Sequence, residues 1–509
     1  MTKTPAIHSD ILRLINETEI AKRSLTDLIN EIQTVYLADK RPWIIGFSGG
    51  KDSTVILSLI YTAIQQLEVS KRKKHIYVVS SDTLVETPVV VGLIKQVLEA
   101  VNETAKINNL PITAHPVYPK VNDTFWVNLL GKGYPAPKQT FRWCTERMKI
   151  DPVSHFITEK VAEYGEVILA LGSRSQESAS RSKVIAKHKI DGTVLSRHSS
   201  LANAFIYLPI NDWSADDVWN YLMSAPCPWG GDNQLLFELY KGSNQGECPL
   251  VLDTSTPSCG NSRFGCWTCT VVTKDRALEG LIATGEAWMQ PLLDFRNELY
   301  KSTIPENKNK YRNFKRRTGK VTYANKKGTD EEENKGTMKH IPGPYWLKQR
   351  KKWLKELLTI EKNLFEQGYE FQLIREEELH AIRQEWLRDP NEPDWSDSLP
   401  KIYSEVYNEQ IEWVENDAGI FTDLDAGILK KLEKKYDIPS ELIMKLVEVE
   451  LSMSGLSKRT GILKKLENVL SKDWGALGDI NKRNQSRKKD GLWQDKLAEL
   501  KGHYERLPK

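Results

Sequence analysis

The stretch Trp43-Ile44-Ile45-Gly46-Phe47-Ser48-Gly49-Gly50-Lys51-Asp52-Ser53-Thr54 decides how this chain is read. The apolar run Trp43-Ile44-Ile45 predicts a strand. A helical pattern begins at Thr54, with Val55, Ile56, Leu59, Ile60 and Ile64 on its inner side. Strand, glycine turn and helix in that order present free backbone N–H groups and a positive helix end to an anion. Gly49 and Gly50 admit phosphate oxygens because no Cβ stands in the way. Lys51 adds a point charge for them. Ser48 and Ser53 offer hydroxyls, and Asp52 can steady the loop or help hold Mg²⁺. Phosphate binding is therefore expected at Ser48, Gly49, Gly50, Lys51, Asp52 and Ser53.

The spacing departs from a Walker A loop, which requires G-x-x-x-x-G-K-[ST]. The glycine count from Gly46 is one residue short, and Asp52 stands where Ser or Thr belongs. The string resembles instead the S-G-G-x-D-S PP-loop of N-type ATP pyrophosphatases, which split ATP into AMP and pyrophosphate. A plain Gly-Gly turn between a strand and a helix is the bland alternative.

At 509 residues the chain is too long for one core, so two or three domains are expected. A hydrophobic fraction of 40% with 28% charged residues describes a globular protein rather than a disordered one. Met1 to Arg23 carries charges throughout and no apolar core segment, which predicts no signal peptide. No apolar run approaches membrane-spanning length, so no membrane partner and a cytoplasmic location are expected. A formal net charge of +4 is too small to announce a nucleic-acid binder by itself. Six cysteines in a reducing compartment argue against structural disulfides. Cys248, Cys259, Cys266 and Cys269 crowd into one segment, which asks for a metal or redox explanation. Cys144 stands apart, and Cys227, between two prolines, reads as a small buried residue.

Five regions follow from the pattern. Residues 1–37 form an N-terminal helical segment, a helical region from about Ser9 to Leu37 with Ile11, Leu12 and Ile15 and later Leu25, Leu28, Ile29 and Ile32 at helical spacing. Residues 38–240 alternate strand and helix, as in an α/β domain with a parallel sheet and flanking helices. Strands are expected at His75–Ser80, Ile112–Val117 and Val167–Leu171, and helices at Pro88–Ala105 and Glu146–Ala162. Ser214-Ala215-Asp216-Asp217 reads as an N-cap with an acidic first turn, opening a short helix to Met223. Residues 241–300 are the cysteine-rich segment, and 301–345 read as a mobile basic connector containing Lys315-Arg316-Arg317. Residues 346–509 form a helical C-terminal region without a catalytic motif.

Ligands of open α/β sheets sit at the carboxyl ends of the strands. Three further segments fall there. Ser81-Asp82-Thr83 with Glu86-Thr87 ends one strand, where Asp82 can meet adenosine or metal. Gly172-Ser173-Arg174 through Ser178, with Arg181, ends another, and guanidinium forks suit phosphate or sulfate oxygens. Leu208-Pro209-Ile210 with Trp213 and Asp217-Val218-Trp219 closes the domain. Singly, each is also an ordinary surface or packing feature.

Taken in this order, Trp43 to Leu222 resembles the phosphoadenosine-phosphosulfate (PAPS) reductase family. The resemblance implies an adenine-nucleotide α-hydrolase-like fold, ATP as cofactor, and sulfur-related chemistry. It departs from the family in lacking the E-C-G-[LI]-H tail that carries the reductase nucleophile; no cysteine follows Cys269. Cluster-bearing adenylyl-sulfate reductases offer a parallel to Trp143-Cys144-Thr145-Glu146-Arg147 followed by Cys266-Trp267-Thr268-Cys269. Cys144, Cys266 and Cys269, with Cys248 or Cys259, would suit a [4Fe–4S] cluster or tetrahedral zinc. Cys144, flanked by Arg142 and Arg147, is alternatively a persulfide carrier.

The PAPS-reductase-like core, Phe141-Arg142-Trp143-Cys144 and the string Ser262 to Val272, together with a helical C-terminal region, look like the DndC family of DNA phosphorothioation systems. That resemblance implies adenylation of a DNA backbone phosphate and replacement of a non-bridging oxygen by sulfur. It also implies DNA, a cysteine desulfurase and further subunits of a DNA sulfur-modification complex as partners. Lys51, Asp52, Asp82, Arg174 and Arg181 are the expected catalytic residues, and Gly172 joins the nucleotide-binding set. The rival readings are a tRNA thiolase or sulfonucleotide reductase on the same core, and a nucleotide-sensing scaffold.

Overall fold

The computed structural model describes residues 19–20, 23–175, 187–243, 265–323, 340–389, 391–414, 423–453 and 459–487. It contains two compact units. The first comprises Met1–Asn128, Ala136–Thr303 and Glu356–Glu378; the second comprises Leu129–Pro135, Ile304–Lys355 and Leu379–Lys509.

The first unit is built on a six-stranded sheet. In chain order its strands are β1 (Trp43–Gly46), β2 (Ile76–Ser81), β3 (Ile112–Val117), β4 (Val167–Ala170), β5 (Leu195–Arg197) and β6 (Ala204–Tyr207). Their spatial order is β3-β2-β1-β4-β6-β5. All neighbouring pairs are parallel except β5 with β6. The α/β class and the parallel sheet are as expected. Strands β1 and β4 are buried along their whole length, as parallel strands covered on both faces must be. The pair β5 and β6 was not read from sequence.

The covering helices are α1 (Leu25–Leu37), α2 (Lys51–Gln65), α3 (Pro88–Ile107), α4 (Asp151–Tyr164), α5 (Ala215–Ser224), α6 (Asn233–Ser243), α7 (Arg276–Ala283) and α8 (Gln290–Lys301). Helix α1 starts at Leu25 rather than Ser9, because Ser24 caps it by accepting the Asp27 N–H, and a short strand pair precedes it. Most of the rest of the expected helix lies outside the described residues. Helix α2 is apolar nearly all round and almost fully buried, so it is a core helix that fixes the loop before it. Ser214 and Asp217 form a complete capping box on α5, each satisfying the other's backbone N–H.

The second unit is helical. Its helices include Ser398–Tyr407, Asp423–Tyr436, Ser440–Leu451, Ile462–Leu470 and Leu477–Arg487. Arg350 is fully buried there and donates to Gly131 O at 2.6 Å and Asp389 Oδ2 at 2.7 Å. The stretch read as a mobile connector is, in its described residues, folded into this unit. Lys315 is buried with its ammonium over the Phe314 and Trp474 rings. Arg317 donates to Lys132 O and pairs with Glu385 at 3.2 Å. The triplet is thus not a free basic patch: aromatic and acidic partners distant in sequence hold two of its three cations. Among the described residues no helix is long and apolar enough to cross a membrane.

Glu378 gives a stability test. It lies in the first turn of the helix Glu376–Leu387, where its Oε2 accepts the Arg375 N–H at 3.0 Å. Burial pushes its carboxyl up to about 7. The folded chain therefore holds a proton that the unfolded chain releases near 4.5. Stability from this group is fully present below that value and is lost as pH rises towards about 7, on the order of 3 kcal/mol in all. Glu378→Gln should remain nearly as stable at pH 5 and be the more stable protein at pH 8. Urea unfolding of both proteins across pH 5–8 checks this, and parallel curves for the two would contradict it.

Candidate active site

The carboxyl ends of β1, β2, β4 and β6 converge on one loop. Strand β1 ends at Gly46, and Phe47 N–H still donates to Val79 O of β2 at 2.9 Å. The chain then turns through Ser48, Gly49 and Gly50 into α2. Gly49 has φ +71°, and a Cβ on it would stand 2.5 Å from Ile94 Cγ1, so only glycine fits. Gly50 caps α2 with extended backbone and no side-chain bond of its own. Ser53 Oγ accepts the Ser48 N–H at 3.2 Å and donates to Gly50 O at 2.9 Å, which ties the turn to the first helical turn. The result is a positive helix end under a diglycine turn whose own residues carry no side chain.

Lys51, Asp52 and Arg174 form a buried charge cluster beside this loop. Asp52 Oδ1 accepts from Arg174 Nε at 2.7 Å, and Asp52 Oδ2 lies 3.5 Å from Lys51 Nζ. Arg174 is 2% exposed and also donates from Nη1 to Trp213 O at 3.2 Å. Its guanidinium therefore holds Asp52 and the loop after β6, instead of presenting a fork to an acceptor phosphate as the sequence suggested. Gly172 is explained by approach: a Cβ there would stand 2.8 Å from the backbone C and O of Asp52. Its place in the site is as a spacer between two strand-end loops. Arg181 lies outside the described residues.

Asp82 follows β2 and faces the same edge. Its Oδ1 accepts the Leu84 N–H at 2.8 Å, stabilising a left-handed Leu84 at φ +65°. Burial first, and then the Glu86 carboxylate, hold the Asp82 carboxyl above its ordinary range. Two close acidic groups with a raised carboxyl are the surroundings in which a divalent cation would be stabilising.

The C-x-x-C turn is stitched to this loop. Thr87 N–H and Oγ1 donate to Gly265 O at 3.1 and 2.8 Å, and Trp267 N–H donates to Val85 O at 3.0 Å. Cys266 Sγ lies 3.4 Å from Thr83 Oγ1 and 3.7 Å from Glu86 Oε1, and Glu86 pairs with Lys149 at 3.2 Å. Burial, then the Glu86 charge, push the Cys266 thiol well above its usual value. Among the described residues no group of three or more His, Cys, Asp and Glu is placed to hold a metal ion. The expected ligand set is therefore not assembled from Cys144, Cys266 and Cys269, and Cys248 and Cys259 lie outside the described residues. Cys227 is buried, as expected, and donates to Asn233 Oδ1 at 2.9 Å.

One contact to the phosphate loop had no signal in the sequence. Tyr240 of α6 places its hydroxyl 3.3 Å from the Lys51 backbone nitrogen, 189 positions away along the chain.

A mostly parallel sheet delivering a diglycine loop, an N-terminal helix end and a lysine to one edge defines an α/β nucleotide-binding domain. Residues 42–272 match the phosphoadenosine phosphosulfate reductase domain family. Two uncharacterized proteins of Methanocaldococcus jannaschii are similar in sequence. One is 29% identical over 201 residues, covering 40% of this chain and 35% of the relative. The other is 28% identical over 176 residues, covering 35% and 34%. The matched region thus spans about a third of the length of these curated relatives. Similar solved structures include a PAPS reductase from Candida auris in complex with phosphate, at 13% identity, with 47% of this chain and 94% of that chain covered and a TM-score of 0.27. An NAD⁺ synthetase from Burkholderia pseudomallei matches at 15% identity, 60% and 96% coverage and a TM-score of 0.28.

Gly172→Ala tests the spacer. The added methyl meets backbone, which no rotamer change relieves, so stability should fall by about 1–3 kcal/mol. Nucleotide affinity should fall with it as Asp52 is pushed from Arg174. Thermal unfolding and nucleotide titration read both, and a variant as stable as the parent would remove the spacer role.

Proposed function

We propose that the chain is a PP-loop ATP pyrophosphatase that adenylates a DNA backbone phosphate so that sulfur can replace a non-bridging oxygen. The observation that carries the nucleotide half of this reading is the Gly49–Gly50 turn at the α2 N-terminus, backed by Lys51 and braced by Asp52 and Arg174. The DNA half is supported by the sequence likeness to the DndC family.

A phosphate oxygen is a very poor leaving group until it is activated. Attack of that oxygen on the α-phosphorus of ATP forms one P–O bond and breaks another, releasing pyrophosphate. The departing group then becomes AMP. Backbone N–H groups of the loop hold the pyrophosphate, and Lys51 offsets charge as it separates. Arg174 acts through Asp52, keeping that carboxylate and the first turn of α2 in register. Asp82, with ATP phosphates, would hold Mg²⁺, which supplies charge neutralisation when bound. A persulfide, formed by a cysteine desulfurase, attacks the activated phosphorus and expels AMP. A second thiol then attacks the carrier's sulfur, breaking the persulfide's own S–S bond, so that the phosphorothioate is released and a disulfide between carrier and thiol is left. The Cys266 turn lies on the same sheet edge, which supports sulfur delivery there; no step is assigned to a cluster.

Incubation with ATP should yield AMP and pyrophosphate, and Lys51→Ala should lower the rate by roughly 10²-fold. Chromatography of the nucleotide products decides the first half: ADP and phosphate as main products would overturn it. Mass spectrometry of digested DNA, after reaction with a cysteine desulfurase, decides the second half, and sulfur in tRNA instead would favour a thiolase.

A further inference from the structure

Tyr240 stands where a ligand oxygen belongs. The Lys51 N–H donates to its phenol oxygen at 3.3 Å. A Cβ on Gly50 would be 3.1 Å from that oxygen and 3.4 Å from Ser48 Oγ, so the hydroxyl lies directly over the diglycine turn. The ring is held from behind. It meets Trp219 of α5 edge-on, with centroids 5.1 Å apart at 79°, and Trp219 in turn meets Phe237 of α6 at 5.4 Å and 88°. A neutral phenol satisfies a backbone donor. It brings no negative charge to the helix end or to the Lys51 ammonium, so phosphate is the stronger occupant.

We infer that Tyr240 is a further residue of the nucleotide site, resting on the nucleotide reading above. In the ligand-free protein its hydroxyl occupies a phosphate-oxygen position on the loop. The pyrophosphate part of ATP displaces it and moves α6 off the loop. The surroundings of α6 allow this. A cavity of about 210 Å³ is lined by Gly49 and Thr54 at the loop, by Trp229, and by Leu235 and Leu236 of α6. Gly230, at φ +81°, and Gly231 immediately precede the helix and give the chain a pivot. Binding energy for the phosphates is thereby partly used to free the loop, and the Lys51 N–H stays satisfied when no nucleotide is present.

The test uses the full chain and inorganic pyrophosphate. Tyr240→Phe keeps the edge contact with Trp219 and removes the competing oxygen. Calorimetric titration should show pyrophosphate binding about three- to tenfold tighter in the variant, the scale of one neutral hydrogen bond. Hydrogen exchange across 233–243 should rise when wild-type protein is saturated with pyrophosphate, and should already be raised in the ligand-free variant. If wild-type protein does not bind pyrophosphate, the nucleotide reading itself fails. If it binds, yet the variant binds equally or more weakly, the Tyr240 inference alone is overturned. Unchanged exchange in α6 on saturation overturns it as well, whatever the variant's stability.

Discussion

The site depends on the approach of Gly172 to the backbone of Asp52. Strands β1 and β4 are neighbours in register, Trp43 opposite Ile168 and Ile45 opposite Ala170, so their carboxyl ends emerge side by side. The loop after β4 must then pass within van der Waals contact of the first turn of α2, which a side chain at 172 would prevent. That approach brings Arg174 to Asp52. A buried ion pair is stabilising only when its remaining hydrogen-bonding groups are met. Trp213 O takes Arg174 Nη1, and Ser175 bonds Asn211 through both its backbone N–H and its hydroxyl, at 2.9 and 2.6 Å. Three strand-end loops are thus locked to one carboxylate. The phosphate loop owes its shape to that lock as much as to its own glycines.

Much of this was legible in the sequence because the determining signals are local. An apolar run into Gly-Gly-Lys and an apolar helix is a strand–turn–helix whatever surrounds it. β2, β3, β4, α3 and α5 likewise announced themselves by periodicity and caps. Strands β5 and β6 did not. Each is only three or four residues long, and they pair antiparallel, Leu195 with Tyr207 and Arg197 with Phe205, across a short connection that carries no recognisable hairpin signal. The Ser24 cap at the start of α1 carried no separate signal inside the apolar spacing of that helical region.

At the site, residue types were legible and partners were not. Arg174 was recognisable as an anion-binding arginine, but its anion is Asp52, 122 positions earlier. The cysteines clustered in sequence suggested one ligand set. In space Cys266 sits with Thr83 and Glu86, on a loop that the cysteine spacing does not point to. The basic stretch around Lys315 carried a composition typical of solvated linkers. Its neighbours across the fold, Trp474 and Glu385, are what make it structure. Tyr240 is the extreme case: no spacing rule links a tyrosine on α6 to a backbone nitrogen on α2.

The stitching of the C-x-x-C turn to the loop after β2 gives the domain its chemical direction. In strand order β3-β2-β1-β4, the loops after β2 and β1 are adjacent, so whatever is fastened to the first lies beside the diglycine turn of the second. Three backbone and hydroxyl bonds from Thr87 and Trp267 do the fastening, and they need no metal. Burial and the Glu86 charge push the Cys266 thiol well above its usual value, and Lys149 pairs with that carboxylate. An arriving cation, or the departure of Lys149 from Glu86, would change that balance at the sheet edge that carries the diglycine loop.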